Sequence, residues 1–364
     1  MESLDRAVQV LEEGVAQGQH PGAQLYVSRR GQVIADLALG EASPGVPMAV
    51  DSLTHWLSAG KPLLAVAAVQ LWERGLLHLD QPVADIVPEF GVRGKDAITV
   101  RHVLTHTGGF RSVVDLYRGR GPVEELPARV FQARLERDWV PGRRAAYHIL
   151  SGWFALGEVV ARASGLPVCE YVRRHVLLPA GMEDSWLRLP DDGAAGYGDR
   201  LAGLYDTSRG RTTPRYQWLS AAGAPCVPGA GARGPARQLG RLYEALLAGG
   251  EGVQGRVLGP AAVEAMVARH RVGLCDETFD APMDWGLGVI ADNKHYGDPA
   301  PYGYGPHASP RAFGHGGNQS SVGYADPEHG LVVAAVVNGM PGPEAHQQRF
   351  ERLNRAIWED LGVS

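Results

Sequence analysis

The chain has 364 residues, 45% of them hydrophobic and 21% charged, with a formal net charge of −5. That length exceeds one small core and calls for one large domain or two closely packed ones. The charge balance excludes an electrostatic footprint for nucleic acid. The longest apolar runs, residues 63–69 and 331–337, are far too short to span a bilayer. Cys169, Cys226 and Cys275 are an odd, scattered set without C-x-x-C, which predicts a reducing compartment and no disulfide framework. The first residues show no basic stretch followed by an apolar one, so the expected location is cytoplasmic.

Residues 4–16 carry apolar side chains at Leu4, Ala7, Val8, Leu11 and Val15, a helical stripe. After Pro21-Gly22, residues 23–28 and 32–39 read as two strands of a hairpin turning at 29–31. A helix follows from about residue 58 to a glycine C-cap at Gly75, with Pro82 beyond it as a stop. Residues 99–109 read as a short capped helix ending in a glycine turn. Its His102 and His106, spaced i, i+4, suit half a metal site. With no third ligand nearby, one of them more plausibly braces the turn, and no metal or other cofactor is expected.

Further helices are predicted at 151–163, 168–177, 234–248 and 260–267, and no strand between about 82 and 187. Residues 189–232 read as a long irregular connection, and at that length as a functional one. Strands return at 283–291, 312–317, 321–326 and 331–337, with a closing amphipathic helix over 344–361. The fold class expected is α/β (α+β). One antiparallel sheet, built from residues 1–60 and 233–364 and flanked by the terminal helices, faces a mostly helical lobe, 61–232, with a site between them.

The chemistry concentrates at Ser58-Ala59-Gly60-Lys61. Residues i and i+3 share a helix face, so the amine can reach the hydroxyl. A serine is a weak nucleophile until a neighbouring base takes its proton, and a helix start aims free N–H groups at an oxyanion. The plain alternative is an N-cap serine followed by a surface lysine. Two features weigh against it: the chain has only three lysines, Lys61, Lys95 and Lys294, and the residues after Lys61 are apolar nearly all round, as in a buried helix.

Ser58-x-x-Lys61, then Tyr147 just before a helix, then His315-Gly316-Gly317 entering a strand resemble, in order and spacing, the serine β-lactamase and penicillin-binding-protein superfamily. The likeness is to its class C-like branch of esterases and transacylases. Val103-Leu104-Thr105-His106-Thr107-Gly108-Gly109, residues 156–182 and Gly323-Tyr324-Ala325-Asp326-Pro327-Glu328 resemble further elements of that branch, so the likeness covers nearly the whole chain. It implies a β-lactamase-like (serine-type) fold and an acylated Ser58. Lys61 would be base or proton conduit, and Tyr147 the partner that activates Ser58 and protonates the leaving group. An oxyanion hole would form from the backbone N–H groups of Ser58 and Asn318, beside His315, Gly316 and Gly317.

It also implies a small-molecule ester as substrate, and water, an amine or an alcohol as acceptor. Lactamases carry Tyr-x-Asn where this chain has Tyr147-His148-Ile149, and a second lysine where it has His315. Both departures favour the esterase branch over a β-lactamase or D-Ala-D-Ala peptidase, and retention of Ser58, Lys61 and Tyr147 together disfavours a non-catalytic binding relative. His148, Trp218, Tyr302 and Tyr304 are candidate pocket-lining residues, with Tyr216, Tyr296 and His307 as further parts of a lid or acceptor shelf.

Overall fold

Both ends of the chain contribute to a seven-stranded antiparallel sheet. The computed structural model describes residues 3–111, 123–191, 196–219, 224–297 and 303–363. The strands of the main sheet, numbered in chain order, are β1 (Gly22–Arg29), β2 (Gln32–Ser43), β3 (Val46–Pro47), β4 (Ile290–Ala291), β5 (Phe313–Gly317), β6 (Ser321–Asp326) and β7 (Leu331–Val337), and their spatial order is β4-β5-β6-β7-β1-β2-β3. The two termini meet where β1 pairs with β7, Ala23 opposite Val337 and Arg29 opposite Leu331.

The run Leu331-Val332-Val333-Ala334-Ala335-Val336-Val337 lacks polar alternation because both faces of the sheet are covered. On the outer face, Leu25, Val27, Val333, Ala335 and Tyr324 pack against the terminal helices α1 (Asp5–Ala16) and α6 (Pro343–Asp360), through Leu4, Ala7, Leu11, Phe350, Leu353 and Ile357. On the inner face, Tyr26, Ala325, Val332, Ala334 and Val336 join a larger core. That core contains α5 (Ala236–Leu247) and the helices α2 (Lys61–Glu73), α3 (Val100–Leu104) and α4 (Ser151–Ser164). α2 is buried on every side from Lys61 to Leu71, so its sequence is apolar all round rather than striped.

Three expectations are corrected. Residues 283–291 form a strand only at Ile290–Ala291. The glycines break the rest: Gly288 has φ +73° and its N–H goes to Leu104 O, while a side chain there would collide with Ala65. The segment is therefore a loop wedged against α2 and α3. The stretch 189–232 contains two short strands, Leu204–Asp206 and Thr213–Arg215, which pair with each other, and the first also pairs with Gly339–Met340, in a small separate sheet. Finally, Cys169 and Cys226, 57 residues apart, form a disulfide, while Cys275 is free and exposed. The pairing is invisible in the spacing because the segment carrying Cys226 returns to the helix Val168–Val172 only in the folded chain. No helix among the described residues is long and apolar enough to cross a membrane.

Candidate active site

Ser58 lies in a single 3-10 turn, Leu57–Gly60, that runs directly into α2. Leu57, just before it, is buried with φ +48°, a backbone conformation an L-residue holds only when its surroundings enforce it. Those surroundings are explicit. The Trp56 N–H donates to Ala232 O (3.0 Å), its indole N–H to Gly234 O (2.9 Å), and its carbonyl accepts from Ser321 Oγ on β6 (2.6 Å). Ser58 is 8% exposed, enclosed yet reachable.

Lys61 is fully buried. Its Nζ donates to Ser58 Oγ and to Gly229 O, both at 2.7 Å. The amine also lies 5.2 Å from the centre of the Tyr147 ring and 5.4 Å from that of Trp153. A buried ammonium needs such partners, since desolvation otherwise drives it neutral. Gly229 lies in the stretch whose length marked it as functional, but nothing in the sequence singles out its carbonyl.

Tyr147 belongs to neither helix nor strand. It precedes α4 by a few residues and is nearly buried. Around it stand His106 (ring centres 4.6 Å apart), Phe279 (5.2 Å), Trp285 (5.9 Å) and His315 (6.0 Å). Two of these are imidazoles kept neutral. Burial, with a contribution from the Lys61 charge, pulls His315 down to about 3 and holds His106 well below the usual histidine range. His315 therefore supplies no fixed positive charge beside Tyr147 at neutral pH, and the Lys61 amine is the basic group next to the phenol ring.

β5 passes beside the Leu57–Gly60 turn. A side chain on Gly317 would strike Trp56 O and Ser321 Oγ, so glycine is required for this approach. Asn318 follows as the strand ends, and its Nδ2 donates to Tyr216 Oη (3.5 Å), which brings the 213–219 segment to this end of β5. Gln319, with φ +51°, completes the turn. It is fixed by Gly342 N–H to its Oε1 (2.6 Å) and by Arg349 to its carbonyl (3.2 Å).

Ser58, Lys61, Tyr147 and His315 are thus brought together, with Gly316, Gly317 and Asn318 at the edge of the same locus. The lining residues scatter. His148 is buried against the 106–110 turn, its Nε2 accepting from Phe110 N–H (3.1 Å) and its own N–H donating to His106 Nδ1 (3.0 Å). It braces the turn rather than lining a pocket. His102 has a different task, its Nδ1 accepting from Thr99 N–H in the cap of α3. Trp218 packs half-buried on the inner core.

Tyr304 does not roof Ser58. Its ring stacks on Tyr324 of the outer face, its hydroxyl donates to Ile290 O, and it walls a cavity of about 770 Å³ between the end of β5 and α6. Tyr296 is tied to Asp284 (2.7 Å). Tyr302 lies outside the described residues. The cavity begins at Gly316, Gly317, Asn318 and Phe279 and extends along Phe350 and Asn354.

The sequence reading missed the groups that hold Tyr147. Asp276 Oδ1 accepts from Tyr147 N–H (3.0 Å), and Thr278 Oγ1 donates to Tyr147 O (3.1 Å). Arg271 pairs with Asp276 (2.9 Å), both fully buried. Charged residues at such positions carry no periodic signal that separates them from a solvated loop.

Residues 7–356 match the family model described as Beta-lactamase. The esterase/beta-lactamase LipL of Mycobacterium tuberculosis is 30% identical over 355 residues, covering 88% of this chain and 78% of that protein. The monacolin J acid methylbutanoyltransferase of Aspergillus terreus is 28% identical over 303 residues, covering 74% and 68%. A solved structure of a penicillin-binding protein homologue from Caulobacter crescentus superimposes with a TM-score of 0.80 at 27% identity, covering 98% of this chain and 97% of that one.

Proposed function

The chain belongs to the β-lactamase family, and on that premise we propose that it is a serine acyl-transfer enzyme acting on small-molecule esters through an acyl-Ser58 intermediate. The observation that carries this reading is the buried Lys61 amine, 2.7 Å from Ser58 Oγ and beside the Tyr147 ring. As Ser58 Oγ bonds to the ester carbonyl carbon, its proton passes to the Lys61–Tyr147 pair. The C–O bond of the leaving alcohol then breaks, and that alcohol takes a proton from the same pair. Deacylation runs the sequence again with the acceptor's O–H or N–H in place of Ser58. The backbone N–H groups of Ser58 and Asn318 would receive the oxyanion.

A second reading, transfer to an amine or alcohol rather than to water, draws support from the cavity that begins at Asn318. It offers room for an acceptor, and placing an acceptor against the acyl-enzyme lowers the barrier by several kcal/mol. The related methylbutanoyltransferase is a transferase by name and LipL an esterase/beta-lactamase by name, so transfer and hydrolysis both have precedent among relatives.

The deciding experiment incubates the protein with acyl esters, with and without amines and alcohols, and identifies products by mass spectrometry. A saturable acceptor that diverts the acyl group establishes transfer. Free acid alone, whatever acceptor is added, leaves hydrolysis. Turnover of nitrocefin or penicillin exceeding that of every ester would replace the ester reading with the lactam one. Ile149, in place of the lactamase asparagine, argues against that result.

A further inference from the structure

Tyr147 poses a backbone problem. Residues outside helices and strands must place their N–H and C=O groups elsewhere when buried. For Tyr147 both groups go to one distant hairpin, residues 275–282, whose two-residue strands Cys275–Asp276 and Ala281–Pro282 pair with each other. The N–H is taken by Asp276 Oδ1, and the carbonyl by Thr278 Oγ1. A third contact is the Phe279 ring, 5.2 Å from the phenol ring. One turn of chain therefore holds this residue at its N–H, its carbonyl and its side chain.

The hairpin is itself anchored. Asp276 Oδ1 also accepts from Thr278 N–H (3.0 Å), closing the turn. Arg271 donates to Asp276 Oδ2 (2.9 Å), to Thr105 O (3.1 Å) and to Met283 O (3.0 Å), and so ties the hairpin to the end of α3. Glu277 N–H donates to Ala145 O (2.9 Å), and the Glu277 carboxylate pairs with Arg111 and Arg144. A carboxylate with an arginine on one oxygen and two N–H groups on the other has strong reasons to stay in one place. Phe279 also lines the cavity that begins at Asn318. The side chain that leans on Tyr147 is thus one that a cavity occupant touches.

We propose that the 275–282 hairpin is a clamp that sets the position of Tyr147 against Lys61 and Ser58, with Asp276 and Thr278 as positioning residues for the proton-transfer step. The inference rests on the acyl-transfer reading of Ser58. Its functional content is that the register of the phenol is fixed by chain 129 residues away from Tyr147, and not by α4 alone.

Thr278 offers the clean test, because it is exposed and its removal leaves the core intact. Thr278→Val deletes the hydroxyl that donates to Tyr147 O (3.1 Å) and accepts a long, exposed bond from Arg111 Nη1 (3.4 Å). The loss of one net hydrogen bond predicts a fall in kcat of about fivefold with KM nearly unchanged, and Thr278→Ser should restore it. In a Tyr147→Phe background the same valine should cost nothing further, because the group being positioned is gone. A second readout needs no turnover: the ¹³Cζ resonance of Tyr147, assigned by its absence in Tyr147→Phe, should titrate at a different pH in Thr278→Val.

Wild-type kcat together with an unmoved resonance in Thr278→Val overturns the clamp. So does an equal loss of kcat in the Tyr147→Phe background. Failure of the underlying reading looks different: wild-type protein that is not labelled at Ser58 by a fluorophosphonate and turns over no ester. In that event the resonance alone decides whether the hairpin positions Tyr147.

Discussion

The two partners of the Lys61 amine are held by opposite strategies. Ser58 is coupled to Lys61 locally: three residues separate them, and the 3-10 turn that carries Ser58 runs directly into the buried helix α2, with the bonds of Trp56 to Ala232, Gly234 and Ser321 holding that turn in place. Tyr147 is positioned at long range, by Asp276 and Thr278, on a loop stabilised by a buried ion pair. The Ser58–Lys61 spacing is set by the chain itself wherever the turn and α2 survive. A long-range arrangement depends on every link between the two segments, so the Tyr147 side is where the site is most easily detuned.

The largest expected effect lies on the local side. Ser58→Ala should reduce ester turnover to background and abolish labelling by a fluorophosphonate, with the melting temperature little changed. Intact labelling in the alanine variant would remove Ser58 from the chemistry. Next come Lys61→Ala and Tyr147→Phe, each expected to lower kcat by ~10²–10⁴-fold. Unequal losses would sharpen the comparison: a much smaller loss for Tyr147→Phe would make Lys61 the base by itself. Steady-state kinetics on a single ester separates these outcomes.

That asymmetry also sets what was legible in the sequence. Ser58-x-x-Lys61 is a short-range pattern at the start of an apolar helix, so its spacing, the scarcity of lysine and the apolar run behind it exposed it together. That both ends of the chain build one antiparallel sheet was legible in outline, because residues 23–28 and 32–39 read as a hairpin and β7 is an unbroken apolar run. The clamp was not. Asp276 and Arg271 resemble any polar loop until folding buries them completely, and Cys226 gave no sign of its partner. The glycines of 285–288 alternate with apolar residues as in a strand, yet Gly288 sits at positive φ beneath α3. Period-two patterning cannot distinguish a strand from a loop pressed between helices.

Stability should show the same asymmetry with the sign of the sensitivity reversed. Arg271→Met leaves the Asp276 carboxylate buried without its guanidinium, a change that costs on the order of 3–5 kcal/mol. Ser58→Ala removes an oxygen from a partly open site and should cost about 1 kcal/mol. Urea unfolding measures both. If Arg271→Met is no less stable than Ser58→Ala, the ion pair contributes little to the hairpin, and its hold on Tyr147 rests on the backbone bonds alone.

The most gradual effect is a pH dependence shared by the site and the outer layer. Burial pulls His315 in the site and His20 beneath α1 down to about 3. In the unfolded chain both titrate near 6.5. Above about pH 6.5 both states are neutral and the two histidines leave stability independent of pH. Between about 6.5 and 3 the unfolded chain binds protons that the folded chain refuses, so stability falls as pH falls, by on the order of 1 kcal/mol per pH unit for each such histidine. His20 is held by Arg349, which donates to its Nδ1 (3.0 Å), while its Nε2 donates to Leu11 O (3.2 Å). His315 Nδ1 bonds Gly316 O (2.8 Å) and its ring stands among Lys61, Tyr147 and Trp285. Replacing His315 by asparagine removes one titrating group. The melting temperature of that variant should therefore fall less steeply than the wild type's between pH 6.5 and 4, and the two slopes should agree above pH 7. Equal slopes throughout would mean that His315 accepts a proton in the folded protein as easily as in the unfolded chain, and that burial does not keep it neutral beside Tyr147.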